Sequence, residues 1–292
     1  MHHHHHIFHR DHPAENAQRT PTSGLNASEQ VLQSEEYTAV INWLSGRTKS
    51  VGDALDIFCQ PVENKFFQTE NAQNVEPLLW RAWQAIVGEA ATTPHTSQHK
   101  QKLVELMLNL AFRPTLSRGE SICEVDGMKV WRDLPIFGWE LREAWNFAAS
   151  GSSDQKSREQ WTNVNGFTAS LVSALHSKAQ DRPDYSLFGL WTLRAALEEP
   201  GEIPNVAVAA AAVWLIYAAP ALRAFSNQEK SFEGKVAKPG SSFGPEEWRG
   251  FSQARWTAWS NNLRDVHMAV SDQPTAGLVK QAVQAMEDAE KQ

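Results

Sequence analysis

The chain has 292 residues, 27 basic and 34 acidic side chains, a formal charge of −7, and 41% hydrophobic residues that include 12 Trp and 13 Phe. That length allows one large domain or two small ones, and the large rings supply a core that a disordered, collagen-like or disulfide-stapled chain lacks. An acidic balance without a Lys/Arg cluster argues against nucleic acid, whose phosphates call for a basic face.

Residues 1–25 read as a polar tail. The start, MHHHHHIFHRDHP, has no apolar stretch of the roughly 7–15 residues that a signal peptide needs, and its His run reads as an expression tag rather than a metal-binding tract. Cys59 and Cys123 belong to no C-x-x-C pair, which predicts two reduced thiols and a cytoplasmic location. A single helical domain is expected over residues 26–290, with sub-halves of about 26–150 and 158–290 separated by the polar SGSSDQKS from Ser150.

Tyr37, Val40, Ile41 and Leu44 fall at i, i+3, i+4, i+7, the stripe of an amphipathic helix that Gly46 stops. A short helix is expected from about Asp53 to Cys59, ending at Pro61, and a second stripe runs from Val75 to Val87 and ends near Gly88. Pro94 then reads as the first turn of a helix that carries Leu103, Leu106, Met107 and Leu110 and stops at Arg113-Pro114. Between Ile122 and Trp131 the runs ICEV and MKVW, joined by Asp126-Gly127, predict a small β-hairpin with a type I′ turn.

Helices are expected again over Trp139–Phe147, along the stripe Trp161, Val164, Thr168, Leu171, Val172 and Leu175, and from Tyr185 to Glu199. The apolar run Val206–Ala219 is shorter than the ~20 residues of a membrane span and reads as a buried central helix continuing to Phe225. Residues Ser226–Pro245 lack periodicity and make the best lid candidate. Pro245 is expected to start a helix with Trp248, Phe251, Trp259, Leu263 and Val266, and Thr275 to about Asp288 forms the last one. The class is all-α: about nine or ten helices in two packed halves, with one small hairpin near 122–131.

The stretch WRDLPIFGWELREAWN from Trp131 concentrates rings and charge beside a fixed-φ proline. One reading makes Asp133 and Glu143 a carboxylate pair for acid/base work, with Arg142 as an anion partner. The weightier reading is structural: a buried Arg142, bridged to Asp133 or Glu143 and capped by Trp rings, locks the turn to a helix on which Asn146 shares the Arg142 face, with Trp131 and Trp145 in the same ligand or structural network. Asn165 lies on the apolar stripe of its helix and needs partners, either backbone or ligand. Arg194 and Glu198 are spaced as a solvated i, i+4 pair. His95 and His99 share that spacing without a third metal ligand, and no metal or cofactor motif of the GxGxxG, P-loop, HExxH or GxSxG kind occurs.

Three blocks, VWRDLPIFGWELREAWN at Val130, WTNVNGFTASLVSAL at Trp161 with YSLFGLWTLRAALEEP at Tyr185, and VAVAAAAVWLIYAAPAL at Val206, together resemble a family of mainly fungal proteins catalogued as domain of unknown function 3632. FSQARWTAWSNNL at Phe251 is similar to the segment following that family's loop. The likeness covers about Glu35 to Met286. It places Asp133, Pro135, Gly138, Arg142, Glu143, Trp145, Asn146, Trp161, Asn163, Asn165, Arg194, Glu198, Arg255, Trp256 and Trp259 at matching positions. It implies a mostly helical intracellular protein and carries no activity with it. One departure is Gly166, where the family more often has Ala, at a cost of roughly 1 kcal/mol within a helix.

The leading functional reading is a cofactor-independent helical protein that holds an apolar small molecule or a partner segment in a Trp-lined cleft between the halves, because Trp is rarely buried completely. A cofactor-free cyclase or isomerase of fungal metabolism using Asp133 or Glu143, and a structural or protein-interaction module, are the alternatives. Neither nucleic acid nor membrane is an expected partner.

Overall fold

The computed structural model describes residues 24–178 and 181–292. Residues 1–23 of the expected 1–25 tail, the His run among them, lie outside these, while Gly24 and Leu25 belong to the folded part, with Leu25 buried. Eleven α-helices and two two-stranded ladders are described: α1 (Glu29–Leu32), α2 (Glu35–Leu44), α3 (Val51–Thr69), α4 (Glu76–Thr92), α5 (Gln98–Ala111), β1 (Ser117–Arg118), β2 (Ser121–Ile122), β3 (Glu124–Val125), β4 (Met128–Lys129), α6 (Phe137–Trp145), α7 (Gln155–Lys178), α8 (Ser186–Leu197), α9 (Asn205–Asn227), α10 (Gln253–Ala269) and α11 (Gln273–Glu290). They form two compact units, one of residues 24–147 with Asp181–Pro183, the other of residues 148–178 with Asp184–Gln292.

In the first unit Ser34, Ser50 and Ser97 cap α2, α3 and α5, each hydroxyl accepting a backbone N–H of the first turn. Helix α2 packs on α3 and α4. It is pinned by Glu36, wholly buried, whose carboxylate accepts from Arg81 Nη2 at 2.8 Å and Arg81 Nε at 3.1 Å. Pro61 does not end α3. Phe58, Cys59, Val62 and Phe66 make one buried stripe through it, and that burial outweighs the one backbone bond the proline removes. Nor does α4 stop at Gly88, because the helix there lies against Ala27: an added Cβ at Gly88 would sit 2.8 Å from the Ala27 Cβ. Pro94 stands in the turn before α5 rather than in its first turn, which Ser97 opens.

The hairpin is present, with Glu124 opposite Lys129 and Val125 opposite Met128. Asp126 (φ 56°) and Gly127 (φ 76°) both occupy the left-handed region that a type I′ turn requires. A second ladder pairs Ser117 with Ile122 and Arg118 with Ser121. It was not expected, since two-residue strands leave no alternation to read.

In the second unit α9 is the central helix, packed on α7, α8, α10 and α11. It runs through Pro220 and has the length and hydropathy of a membrane-crossing helix, yet 72% of its most apolar window is buried within the protein, as a core helix requires. Helix α8 meets it closely: a Cβ at Gly189 would lie 2.6 Å from the Trp214 ring. The helix expected from Pro245 begins only at Gln253. Phe232 N–H donates to Arg249 O, Phe251 N–H donates to Lys230 O, and Ser252 supplies the cap, so residues 245–252 are engaged elsewhere.

Gly189→Ala is expected to displace Trp214 and lower stability by about 1–3 kcal/mol, measured by urea denaturation.

Candidate functional site

The Trp131 turn is locked, but through other residues than expected. Trp131, fully buried, donates Nε1–H to Glu63 Oε2 at 2.8 Å and stands edge-on to Trp83, ring centres 6.2 Å apart. Trp83 in turn donates to Pro135 O at 2.7 Å and packs on Phe137. The guanidinium clamped by carboxylates is that of Arg113. Its Nε and Nη2 meet Glu63 at 2.9 and 3.0 Å, and its Nη1 meets Asp56 at 3.0 Å. These hydrogen bonds, Glu63 first, raise the Arg113 pKa above its ordinary value.

Arg142 is half-buried, not buried, and donates to Asn146 Oδ1 at 2.6 Å on the exposed side of α6. Leu141, Ala144 and Trp145 take the inward face, leaving Arg142 at its margin, and the buried acid of this helix is Glu140 rather than Glu143. Asp133 holds the hairpin end, its Oδ2 accepting the Lys129 N–H at 2.7 Å. Glu143 is half-buried.

Asn165 is wholly buried on α7. Its Oδ1 accepts from Trp214 Nε1 at 2.7 Å and Thr192 Oγ1 at 2.8 Å, and its Nδ2 donates to Trp161 O at 2.9 Å. With both oxygen lone pairs used, the amide ties α7 to α8 and α9.

Glu198 is not paired with Arg194 in solvent. It is wholly buried, and its carboxylate accepts four bonds: Arg255 Nε at 2.8 Å and Nη2 at 3.0 Å, Trp259 Nε1 at 2.6 Å, and Gly240 N at 2.9 Å. The remaining three N–H groups of Arg255 reach Ala237 O, Gly250 O and Lys238 O at 2.6–3.0 Å, so all five donors are engaged. Arg194 donates to Val236 O and Lys238 O, Trp191 donates to Val236 O, and burial, with Arg255 nearby, lowers the Arg194 pKa. The segment read as a lid, Ser226–Pro245, is thus fastened at Val236, Ala237, Lys238 and Gly240, and the chain just after it at Gly250. Trp256, also buried, donates to Glu290 Oε1 on α11.

Nine of the twelve Trp are buried, and Trp139, Trp191 and Trp248 are half-buried. The aromatic excess is therefore core, and ring count does not by itself mark a cleft.

Among the described residues two buried side chains of α4 stand outside this pattern of pairing: Trp80, whose Nε1 has no partner, and Gln84, which has none at either polar atom. Gln84 on α4 is 2% exposed, and both its Oε1 and its Nε2 lack a partner. Such a carboxamide carries a desolvation cost of about 1–3 kcal/mol. It lines a cavity of about 10 Å³ with Val87, Glu140, Ala144 and Phe147, and Gly24–Ala27 form its remaining side. Trp80 at i−4 and Val87 at i+3 place Gln84 on an apolar stripe, so its burial was legible in the sequence, as that of Asn165 was, whereas its lack of partners was not.

A family model matches residues 83–263. The chain belongs to that family, described as "Protein of unknown function (DUF3632)". Neither a curated protein nor a solved structure matches it. The DUF3632 match is shorter than the likeness read from the sequence blocks. It takes in Gln84, Glu140, Asn165, Glu198 and Arg255 and leaves out the cover Gly24–Ala27 and Glu290.

Burial raises both thiols, Cys59 well above its ordinary value and Cys123 to about 11, which removes them as nucleophiles at neutral pH. Among the described residues no group of three or more His, Cys, Asp or Glu is placed to hold a metal. Burial lowers Lys100, 1% exposed, to about 8 from the ordinary 10.5.

Two outcomes follow. Glu198→Ala leaves the Arg255 charge buried without its counter-ion and is expected to cost about 3–5 kcal/mol in urea denaturation, with faster amide exchange at Gly240. Between pH 8 and 10.5 the unfolded chain keeps the Lys100 proton that the folded one releases, so the Lys100 contribution to stability rises with pH across that window. The stability difference between wild type and Lys100→Met, followed by denaturation from pH 7 to 10.5, is expected to shift in favour of wild type as pH rises.

Proposed function

We propose that this protein binds a small, largely apolar molecule without a cofactor, and that the ligand sits at the Gln84 pocket of α4 and α6. The supporting observation is the carboxamide of Gln84, buried without a partner at a cavity where Val87, Ala144 and Phe147 stand beside the polar Asn26 and Glu140. The acid/base reading has less support. Asp133 is committed to the Lys129 N–H, and the saturated networks at Asn165 and Glu198 hold helices and loop in place. Two buried thiols suit a reducing compartment, and a cytoplasmic protein of fungal metabolism is the setting we infer.

Thermal melts of wild type and Gln84→Leu against a library of small amides, alcohols and amines test this. The expected result is a Tm increase in wild type with some members, by mass action, that is absent in Gln84→Leu. A library that leaves the wild-type Tm unmoved throughout, or raises both proteins equally, would overturn the reading.

A further inference from the structure

We infer that the Gln84 pocket takes a neutral primary carboxamide carried on a short apolar tail, and that it admits this group by lifting Gly24–Ala27. The inference rests on the ligand-binding reading above. A buried Gln side chain offers one acceptor and one donor edge side by side in a plane, and here neither is used. The group that satisfies both at once carries a carbonyl and an N–H, or a carbonyl and an O–H, in the same planar arrangement. A carboxylic acid fits that shape, but it ionises at neutral pH, and carrying its charge into a buried site costs far more than carrying a neutral amide there. Val87, Ala144 and Phe147 supply apolar wall for a tail of a few carbons.

With the cover in place the cavity, about 10 Å³, has room for a single water. Anything larger enters only if the cover moves. Ala27 rests on the one position of α4 that has no Cβ: a methyl at Gly88 would come within 2.8 Å of the Ala27 Cβ and 3.2 Å of its backbone nitrogen. Alanine is the better helix former, so Gly88→Ala keeps α4 and pushes the cover away.

The test titrates isobutyramide, isobutyrate, isobutanol and isobutylamine into the full chain, observed by NMR, with Gln84→Leu, the closer isostere Gln84→Met, and Gly88→Ala alongside. Near-ultraviolet circular dichroism confirms that each variant is folded. Expected are binding of isobutyramide to wild type, at least tenfold tighter binding to Gly88→Ala, loss of binding in both Gln84 variants, and no binding of isobutyrate. Isobutanol or isobutylamine binding as tightly as the amide, and lost with Gln84, would overturn the amide assignment while leaving a ligand site at Gln84. Amide affinity unchanged in Gly88→Ala would overturn the lifting of Gly24–Ala27. No binding of any probe to wild type or Gly88→Ala overturns the carboxamide inference and leaves Gln84 facing water only. If the wider library also fails, the ligand-binding reading falls with it.

Discussion

Taking a carboxylate and a guanidinium out of water costs several kcal/mol for each ion, and the second unit offsets this at Glu198 and Arg255 by completing the hydrogen bonding of both. Four donors converge on the carboxylate and all five guanidinium N–H groups are engaged. Because three of the acceptors are loop carbonyls, the ion pair cannot form unless residues 236–250 adopt one path, and that path in turn sets where α10 begins. Gly240 is part of the arrangement: a Cβ there would lie 2.6 Å from the Glu198 backbone oxygen. The loop is therefore a component of the packed unit.

The same device, an indole N–H reaching a carbonyl, amide or carboxylate oxygen while its ring fills the core, recurs through both units. Trp131 and Glu63, Trp83 and Pro135, Trp214 and Asn165, and Trp259 and Glu198 are each such a pair. A Trp used this way supplies a large apolar surface and satisfies a polar group that would otherwise be stranded. This accounts for an aromatic content that composition alone left open between core and cleft.

Against that background Gln84 is conspicuous for chemical reasons. Its unit pairs Glu36 with Arg81 and Glu63 with Arg113, yet leaves a carboxamide at a small cavity with both polar atoms unused. The residues around it come from three places in the chain: the cover Gly24–Ala27, α4 and α6. Their meeting depends on the bare backbone at Gly88.

The amino-acid pattern by itself determined the all-α class, most helix positions and the hairpin. Apolar residues at 3.6-residue spacing and an Asp-Gly pair with positive φ are local signals, read within one or two turns of chain. It also singled out Asn165 as a buried amide in need of partners, because a polar residue on an apolar stripe is visible in one helix. Which charges pair was decided only by tertiary structure. Arg142 and Arg255 both stand among rings and acids in sequence, but α6 leaves Arg142 at the edge of its buried face, while α10 carries Arg255 to a carboxylate 57 residues away. Pro61 and Gly88 read locally as helix ends. Burial of Phe58, Val62 and Phe66 in the one case, and the contact with Ala27 in the other, are long-range and carry the helices through. The Gln84 pocket belongs to this second kind, since an unpaired buried amide is defined by what the rest of the fold fails to bring to it.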